Sequence, residues 1–129
     1  MGKKISSFRD LIVYQKAFKL QQDIFNITQE FPREEIYSLV DQIRRSSRSI
    51  GASISEAWYK RRYVAHFTSK LTDANSEQGE TQHWLDTALV SVYIPEDKHK
   101  LLRKKCDEVG KILSTMIRKP EKFCLSTGS

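Results

Sequence analysis

Two copies of the spacing Glu-x-x-His are the part of this sequence best suited to metal chemistry. They are Glu80 with His83, and Glu96 with His99. In a carboxylate-bridged di-iron bundle, two helices each supply this motif, the other two each supply a glutamate, and all of them point inward. His83, however, falls opposite the apolar residues of its own helix. The two motifs also differ in height by about 10 Å at the helical rise per residue. The sequence therefore predicts no metal site and no cofactor.

Hydrolytic chemistry finds no better support. The three histidines converge on no nucleophile, and the serines of residues 46–55 follow a packing periodicity. No phosphate-binding loop of the type GxxxxGK[ST] or GxGxxG is present. An acidic strip could pass for paired carboxylates, but we expect it to pair with a lysine of its own helix or with two arginines across the bundle. The acids are Asp73, Glu77 and Glu80, and the basic residues are Lys70, Arg44 and Arg48. The sequence predicts that the protein is not an enzyme.

Basic residues point instead to an anionic partner. The net charge is +6 and the pI is about 9.4, which favours nucleic acid among other anions. We predict that three groups contact RNA: Arg44, Arg45 and Arg48; Lys60, Arg61 and Arg62; and Lys104 and Lys111. If the acidic strip neutralises Arg44 and Arg48, those two arginines are structural, whereas Arg45 is expected to point further towards solvent.

The second group lies between Tyr59 and Tyr63. Basic residues next to aromatic ones suit unpaired RNA, which is bound by phosphate pairing and base stacking. The alternative is an ordinary solvated turn whose tyrosines cap the end of the bundle.

The third group belongs to a basic line along the last helix. Residues 98–122 carry nine lysines and arginines against three acids, whereas residues 64–92 carry one lysine against four acids. The alternative for Lys104 and Lys111 is surface pairing with Glu108 and Asp107, each four residues away. Basic and acidic faces on one subunit could serve assembly of a ring, an RNA ligand, or both.

Apolar periodicity predicts four helices that must position these residues. The first runs from about Phe8 to Glu30 and carries two seams, one of Val13, Ala17, Leu20, Ile24, Ile27 and Phe31 and one of Leu11, Tyr14, Phe18 and Phe25. A bundle core uses an apolar stripe of limited width. The second seam therefore predicts self-association. The alternative is that the helix is deeply buried within its own bundle.

Each of the other three helices carries one seam. The second has Ile36, Val40, Ile43, Ser47, Ile50, Ile54 and Ala57, beside a flank of Gln42, Ser46, Ser49 and Ser53 that would let another helix approach closely. The third, 64–92, has Phe67, Leu71, Ala74, Gln78, Thr81, Leu85, Ala88 and Val92. The fourth, to about 119, has Leu102, Cys106, Val109, Leu113 and Met116. Short connections predict an all-α, antiparallel up-down four-helix bundle over residues 8–119, with a disordered lead-in at 1–7 and a flexible tail at 120–129.

Composition narrows the class of protein further. A chain of 129 residues is one domain by size, and 39% hydrophobic with 29% charged residues fits a soluble one. Cys106 and Cys124 form no CxxC motif and no secretory signal is recognisable, so we expect a cytoplasmic protein. No apolar run approaches the ~20 residues of a membrane span, so we expect no membrane contact.

Several motifs resemble a known small family. They are the opening Phe8-x-Asp10-Leu11-x-Val13-Tyr14-Gln15-Lys16-Ala17, the segment Tyr37-x-Leu39-x-x-Gln42-Ile43-Arg44-Arg45-Ser46-x-x-Ser49-Ile50-x-x-Ser53-Ile54-Ser55-Glu56-Ala57, and two stretches of the third helix at 67–74 and 80–88. Together they are similar to the four-helix-bundle proteins encoded in intervening sequences of bacterial large-subunit rRNA genes. The resemblance covers residues 8 to about 123. Many members have a glycine at the position of Ala57, followed by a glycine-rich connection that this chain lacks.

The resemblance implies an up-down bundle, commonly a ring-shaped homopentamer, without established catalytic activity. A related class comprises the accessory proteins of diversity-generating retroelements, which bind a reverse transcriptase and nucleic acid. We therefore expect a self-associating bundle that presents basic residues to RNA. The alternative is an oligomeric accessory scaffold whose chief partner is a protein such as a reverse transcriptase.

Overall fold

The computed structural model of the protein describes residues 4–125 and consists of four helices. These are α1 (Ile12–Thr28), α2 (Leu39–Trp58), α3 (Val64–Val90) and α4 (Glu96–Arg118). Each helix packs on the next along the chain, and α1 also packs on α4, so the four form an antiparallel up-down bundle. No strand occurs among the described residues. The predicted all-α four-helix fold is confirmed.

The core lies where the four predicted seams meet. The residues buried completely include Ala17, Leu20, Ile24, Ile43, Ile50, Ile54, Ala74, Ala88, Cys106, Val109 and Leu113. Removing one leucine or isoleucine side chain from water stabilises the fold by roughly 1.5–3 kcal/mol. Because residues of one seam follow one another at steps of three and four, each helix turns a single stripe inward.

Short side chains of α2 bring it against α3, as predicted. Ser46 and Thr81 are fully buried, and their hydroxyl oxygens are 2.9 Å apart. Thr81 also donates to the carbonyl of Glu77 at 2.9 Å. This buried pair therefore satisfies its own polar groups, as burial requires.

Two predicted seam residues lie outside the core because their helices are shorter than predicted. Ile36 is 44% exposed; it follows the 3₁₀ turn Arg33–Glu35, and α2 begins only at Leu39. Val92 lies beyond the end of α3 and is 85% exposed.

The first helix is also shorter than predicted. It begins at Ile12 rather than Phe8, since Leu11 is extended after the 3₁₀ turn Phe8–Asp10.

The end of α3 explains the position of Val92. The amide of Val92 donates to the carbonyl of Leu89 at 3.0 Å, and the amide of Tyr93 donates to that of Ala88 at 2.9 Å. This pair of hydrogen bonds is the Schellman motif, which places the residue after the C-cap in the left-handed region and favours glycine there. Val92 has φ 63, a strained conformation for a β-branched side chain.

We expect Val92→Gly to raise the free energy of unfolding by about 1 kcal/mol, because it removes this strain and costs only backbone entropy. Thermal or urea unfolding would measure the gain. Val90→Gly is the matched control, since Val90 is similarly exposed but lies inside the helix. It should lose a few tenths of a kcal/mol. Equal losses in both variants would contradict the assignment of strain.

The two cysteines differ in burial. Cys106 is fully buried in α4, as predicted, and burial together with Asp107 raises the pKa of its thiol to about 12. Cys124 is half-buried; burial raises its pKa too, while Arg61 opposes the rise. Only the thiolate reacts readily, so Cys106 is protected by both burial and protonation.

We therefore expect one thiol per folded chain to react with a disulfide reagent at about pH 8, and two after denaturation. A spectrophotometric thiol titration would count them. Cys124→Ser should leave no reactive thiol in the folded protein. Rapid reaction of two thiols before unfolding would contradict this protection.

The chain after α4 is packed where it is described. Residues 120–125, which we predicted to be flexible, begin with the 3₁₀ turn Pro120–Lys122. The ring of Phe123 stacks on that of Phe67 with centroids 6.3 Å apart, and the amide of Leu125 donates to the carbonyl of Arg61 at 3.0 Å. The rest of the predicted tail, 126–129, and residues 1–3 of the predicted lead-in lie outside the described residues. None of the helices between residues 4 and 125 is long and apolar enough to cross a bilayer.

Candidate nucleic-acid interface

Charge is distributed unevenly along the axis of the bundle. One end is formed by residues 4–10, 59–66 and 115–125, which carry eight lysines and arginines against two acids. The opposite end is formed by residues 29–38 and 86–100, which carry six acids against three lysines and arginines. We call these the basic end and the acidic end. An anionic ligand is attracted to the first and repelled by the second.

The turn between α2 and α3 contributes three of the cations at the basic end, and one of them is held by the fold. The guanidinium carbon of Arg61 lies 3.4 Å from the ring centre of Trp58, and its Nε donates to the carbonyl of Trp58 at 2.8 Å. Burial lowers the pKa of Arg61. Arg61 is thus held within the bundle by Trp58, and the RNA contact predicted for it stays a prediction. The i, i+3 spacing to Trp58 was the signal that could have indicated this.

The two neighbours of Arg61 in the turn are exposed. Lys60 has no ion pair among residues 4–125, and Arg62 lies 5.8 Å from the ring centre of Tyr63. Tyr59 and Tyr63 are 77% and 56% exposed. The ring of Tyr59 packs against that of Phe8, with centroids 6.2 Å apart. Cations and aromatic faces are therefore exposed together in this turn.

The outer face of α4 extends the basic surface away from this end. Lys104 and Lys111 do not pair with the acids four residues away. Instead Glu108 binds Lys16 of α1 at 3.2 Å, and Asp107 accepts from Gln82 of α3 at 3.2 Å. Neither Lys104 nor Lys111 has an ion pair among the described residues. The surface-pairing alternative is therefore wrong for this pair of lysines.

These two lysines border a cleft of about 730 Å³ between α3 and α4. Arg118, the amides of Asn75 and Gln78, and the hydroxyls of α4 also line it. The helices approach closely at this point, since a Cβ at Gly110 would lie 3.0 Å from the side-chain nitrogen of Gln78. The cleft thus offers cations, amides and hydroxyls, the groups that bind phosphate and sugar oxygens.

The arginines of α2 divide into two environments. Arg44 stacks on the ring of Phe25 at 4.5 Å, and its Nε donates to Thr28 Oγ1 at 2.9 Å. Arg48 lies 5.7 Å from the same ring centre. Burial, and then the nearby charge of Arg48, lower the pKa of Arg44. Neither arginine has an ion pair among residues 4–125, so the predicted pairing of both with the acidic strip is wrong.

Arg45 is the arginine that meets the acidic strip. Its Nη2 lies 3.9 Å from the carboxylate of Glu80 and donates to Gln42 at 2.9 Å. Lys70 pairs with Asp73 at 3.7 Å, as predicted, and also with Glu56 of α2 at 3.4 Å. These pairs are partly exposed and each contributes little to stability.

Glu77 is the member of the strip without such a partner. Its Oε1 is buried and has no hydrogen-bond partner among the described residues. Burial, followed by repulsion from Glu80, raises the pKa of Glu77. The charge of Arg45 only partly offsets these effects on Glu77.

Three residues of the two Glu-x-x-His motifs make contacts within the bundle. Glu80 accepts from the indole nitrogen of Trp84 at 3.1 Å, and His83 is exposed beside that ring. His99 lies 2.7 Å from Asp86. Between residues 4 and 125, no three His, Cys, Asp or Glu residues are grouped so that they could hold a metal ion.

Similarity to known proteins covers most of this chain. The family model described as "23S rRNA-intervening sequence protein" matches residues 9–115. A crystal structure at 1.70 Å resolution of a protein from Bacteroides thetaiotaomicron VPI-5482, described as having unknown function and as coming from the S23 ribosomal protein family, is similar with a TM-score of 0.76. The two chains are 30% identical, and the similarity covers 83% of this chain and 96% of the other. None of the curated proteins compared with this chain matches it.

Proposed function

Because this chain belongs to the 23S rRNA-intervening sequence protein family, we propose that it is a non-enzymatic, self-associating bundle that binds RNA at its basic end in the cytoplasm. The assembly is the ring of five that the resemblance implies. The observation that carries the RNA proposal is the joint exposure of cations and tyrosines at that end.

Self-association is supported by the second seam of α1. Its members are not all covered within one subunit: Phe18 is 47% exposed, and Tyr14 and Phe25 are half-buried. Exposed aromatic side chains that adjoin one another are typical of surfaces that bind another molecule.

RNA binding is supported by chemistry rather than by charge alone. Lys60 and Arg62 can pair with phosphates, while Tyr59 and Tyr63 offer faces on which unpaired bases stack. Lys104 and Lys111 extend the contact along α4 for the RNA backbone. Arg61 acts by positioning the turn. The contribution predicted for Arg44, Arg45 and Arg48 stays a prediction, and their contacts with Thr28, Phe25 and Glu80 favour another role.

The test is the native mass of the purified protein, measured with and without a pool of structured RNA. We expect an assembly larger than one subunit, whose mass increases with RNA and recovers in high salt, because phosphate contacts weaken steeply as salt rises. An assembly whose native mass does not change when RNA is added would overturn the RNA proposal and favour a protein partner. A single subunit at all protein concentrations would overturn self-association.

A further inference from the structure

The cleft between α3 and α4 has two halves of different charge, which meet at Gly110. The half nearer the acidic end contains two carboxylates, those of Asp107 and Glu108. In the half nearer the basic end, none of the described residues that line the cleft is acidic. Its lining residues on α4 are Lys111, Ser114, Thr115 and Arg118. We call this the basic half of the cleft.

A chain of amides runs along α3 into the cleft. Gln82 Nε2 donates to Asp107 Oδ1 at 3.2 Å and to Gln78 Oε1 at 2.6 Å. Gln78 Nε2 in turn donates to Asn75 Oδ1 at 3.0 Å. Because a carboxylate can only accept, Asp107 fixes the direction in which each amide of this chain donates. At the end of the chain, the amide nitrogen of Asn75 has no acceptor among residues 4–125 and is left as a donor.

Gly110 leaves the space in which these amides lie. A Cβ at this position would be 3.0 Å from Gln78 Nε2 and 3.5 Å from Asn75 Oδ1. A side chain here would therefore crowd the hydrogen bond between the two amides. The space has the usual cost of a glycine inside a helix, which is less stable there than alanine.

The polar groups of the basic half that lack a partner can all donate a hydrogen bond. They are the ammonium of Lys111, the guanidinium of Arg118, the amide nitrogen of Asn75 and the hydroxyl of Ser114. Within the described residues, neither Lys111 nor Arg118 has an ion pair, and Arg118 only donates to Thr115 Oγ1 at 3.3 Å. Phosphate oxygens only accept, and cations, amides and hydroxyls are the groups that bind them. The chemistry of this half therefore selects phosphate.

We infer that the basic half of the cleft binds the phosphates of an RNA strand that runs along α4, with the amide nitrogen of Asn75 as a positioned donor. The inference rests on the RNA binding proposed above and adds a second contact region to it. Lys111 and Arg118 are two turns apart, about 10 Å, so they contact different phosphates of one strand. A free nucleotide has only one such group and makes only part of these contacts.

The chain after α4 connects the cleft to the turn between α2 and α3. Arg118 is followed by Lys119 and Lys122, which are both exposed. The amide of Leu125 then donates to the carbonyl of Arg61 in the turn at 3.0 Å. Cations therefore continue from the cleft to the basic end, so one strand can contact both regions.

Lys111→Gln with Arg118→Gln removes the two cations of the basic half and keeps residues that favour helix. We expect binding of a labelled single-stranded oligouridylate to weaken about tenfold, because two phosphate contacts are lost. The slope of log affinity against log salt should become shallower by about 1.4, since each contact with a single strand contributes about 0.7. Fluorescence anisotropy at several salt concentrations measures both quantities.

The matched control is Arg33→Gln with Lys98→Gln. It also removes one arginine and one lysine, which are exposed at the acidic end. Its affinity should change by less than about threefold, because salt screens charges at that distance.

Asn75→Ala tests the positioned donor without changing any charge. It should weaken binding about threefold to tenfold, as expected for one lost hydrogen bond, and leave the salt slope unchanged. Asn26→Ala makes the same substitution at an exposed position of α1 and should bind like the wild type.

Uridine monophosphate, added at constant ionic strength, distinguishes a strand from a single phosphate group. We expect displacement of the oligouridylate only at a concentration of nucleotide about 100-fold higher or more, because linked contacts reinforce one another. Displacement at similar concentrations would assign the cleft to a free nucleotide and overturn the inference.

Two results with the variants would also overturn it. One is an equal loss of affinity in the cleft variant and its control, which would be an effect of net charge. The other is wild-type affinity in Asn75→Ala. Both leave RNA binding at the turn standing, whereas a wild type that binds no RNA would overturn the RNA proposal and the inference together.

Discussion

Lys60→Glu combined with Arg62→Glu is expected to weaken RNA binding on the order of 100-fold at physiological salt. Each substitution replaces a cation that attracts a phosphate by an anion that repels it. The slope of log affinity against log salt should become shallower by roughly 1.4–1.8, for two lost phosphate contacts. Arg61 is left in place because its stacking on Trp58 holds the turn.

Fluorescence anisotropy with a labelled RNA hairpin, titrated at several salt concentrations, measures both quantities. Arg33→Glu with Lys98→Glu is the matched control, since it makes the same change of charge with two exposed residues at the acidic end. A general effect of net charge would weaken binding equally in the two variants. That outcome, or unchanged binding in the first variant, would exclude the turn as the RNA site.

Phe67→Ala is expected to lower the free energy of unfolding by about 3–5 kcal/mol, the usual cost of removing a buried aromatic side chain. Phe67 is fully buried at the start of α3 and stacks on Phe123. Its loss removes core packing and the support for the chain after α4. Because Leu125 is bonded to the carbonyl of Arg61, the turn at the basic end should loosen as well.

Urea unfolding measures the change, with the slope of the transition used to check that the cooperativity is retained. Phe123→Ala is the control: it breaks the same stacking from a half-buried position and should cost roughly 1–2 kcal/mol. If the two variants lose equal stability, the effect lies in the stacking of the rings and not in the core around Phe67.

The seams of the four helices were predictable because they follow from periodicity alone. Ile43, Ile50 and Ile54 recur at steps of four and seven, and any helix that contains them must bury one stripe. Ile36 and Val92 were assigned wrongly because the apolar periodicity extends beyond the helices, before the start of α2 and after the end of α3. The end of α3 depends on the Schellman motif, which here lacks the glycine that usually announces it.

The pairing of charges was less predictable, for a geometric reason. Arg44 and Arg45 are separated by about 100° around their helix, so a small rotation of α2 decides which one meets Glu80. The sequence specifies the charged residues, but the rotation of α2 about its axis cannot be read from it. The exposure of Lys60 and Arg62 follows from their position in a turn, whereas the contacts of Arg61 depend on the orientation of the Trp58 ring, which the sequence does not give.

The separation of charge between the two ends of the bundle has a further consequence when copies assemble around a single rotation axis. All basic ends then lie at one height and form a positive rim, and all acidic ends form a negative rim on the opposite side. An RNA that reaches two neighbouring subunits is held by the second at high effective concentration, so its overall affinity exceeds that of one subunit. Such a ring would have avidity on one side only, and would dock onto RNA in one orientation.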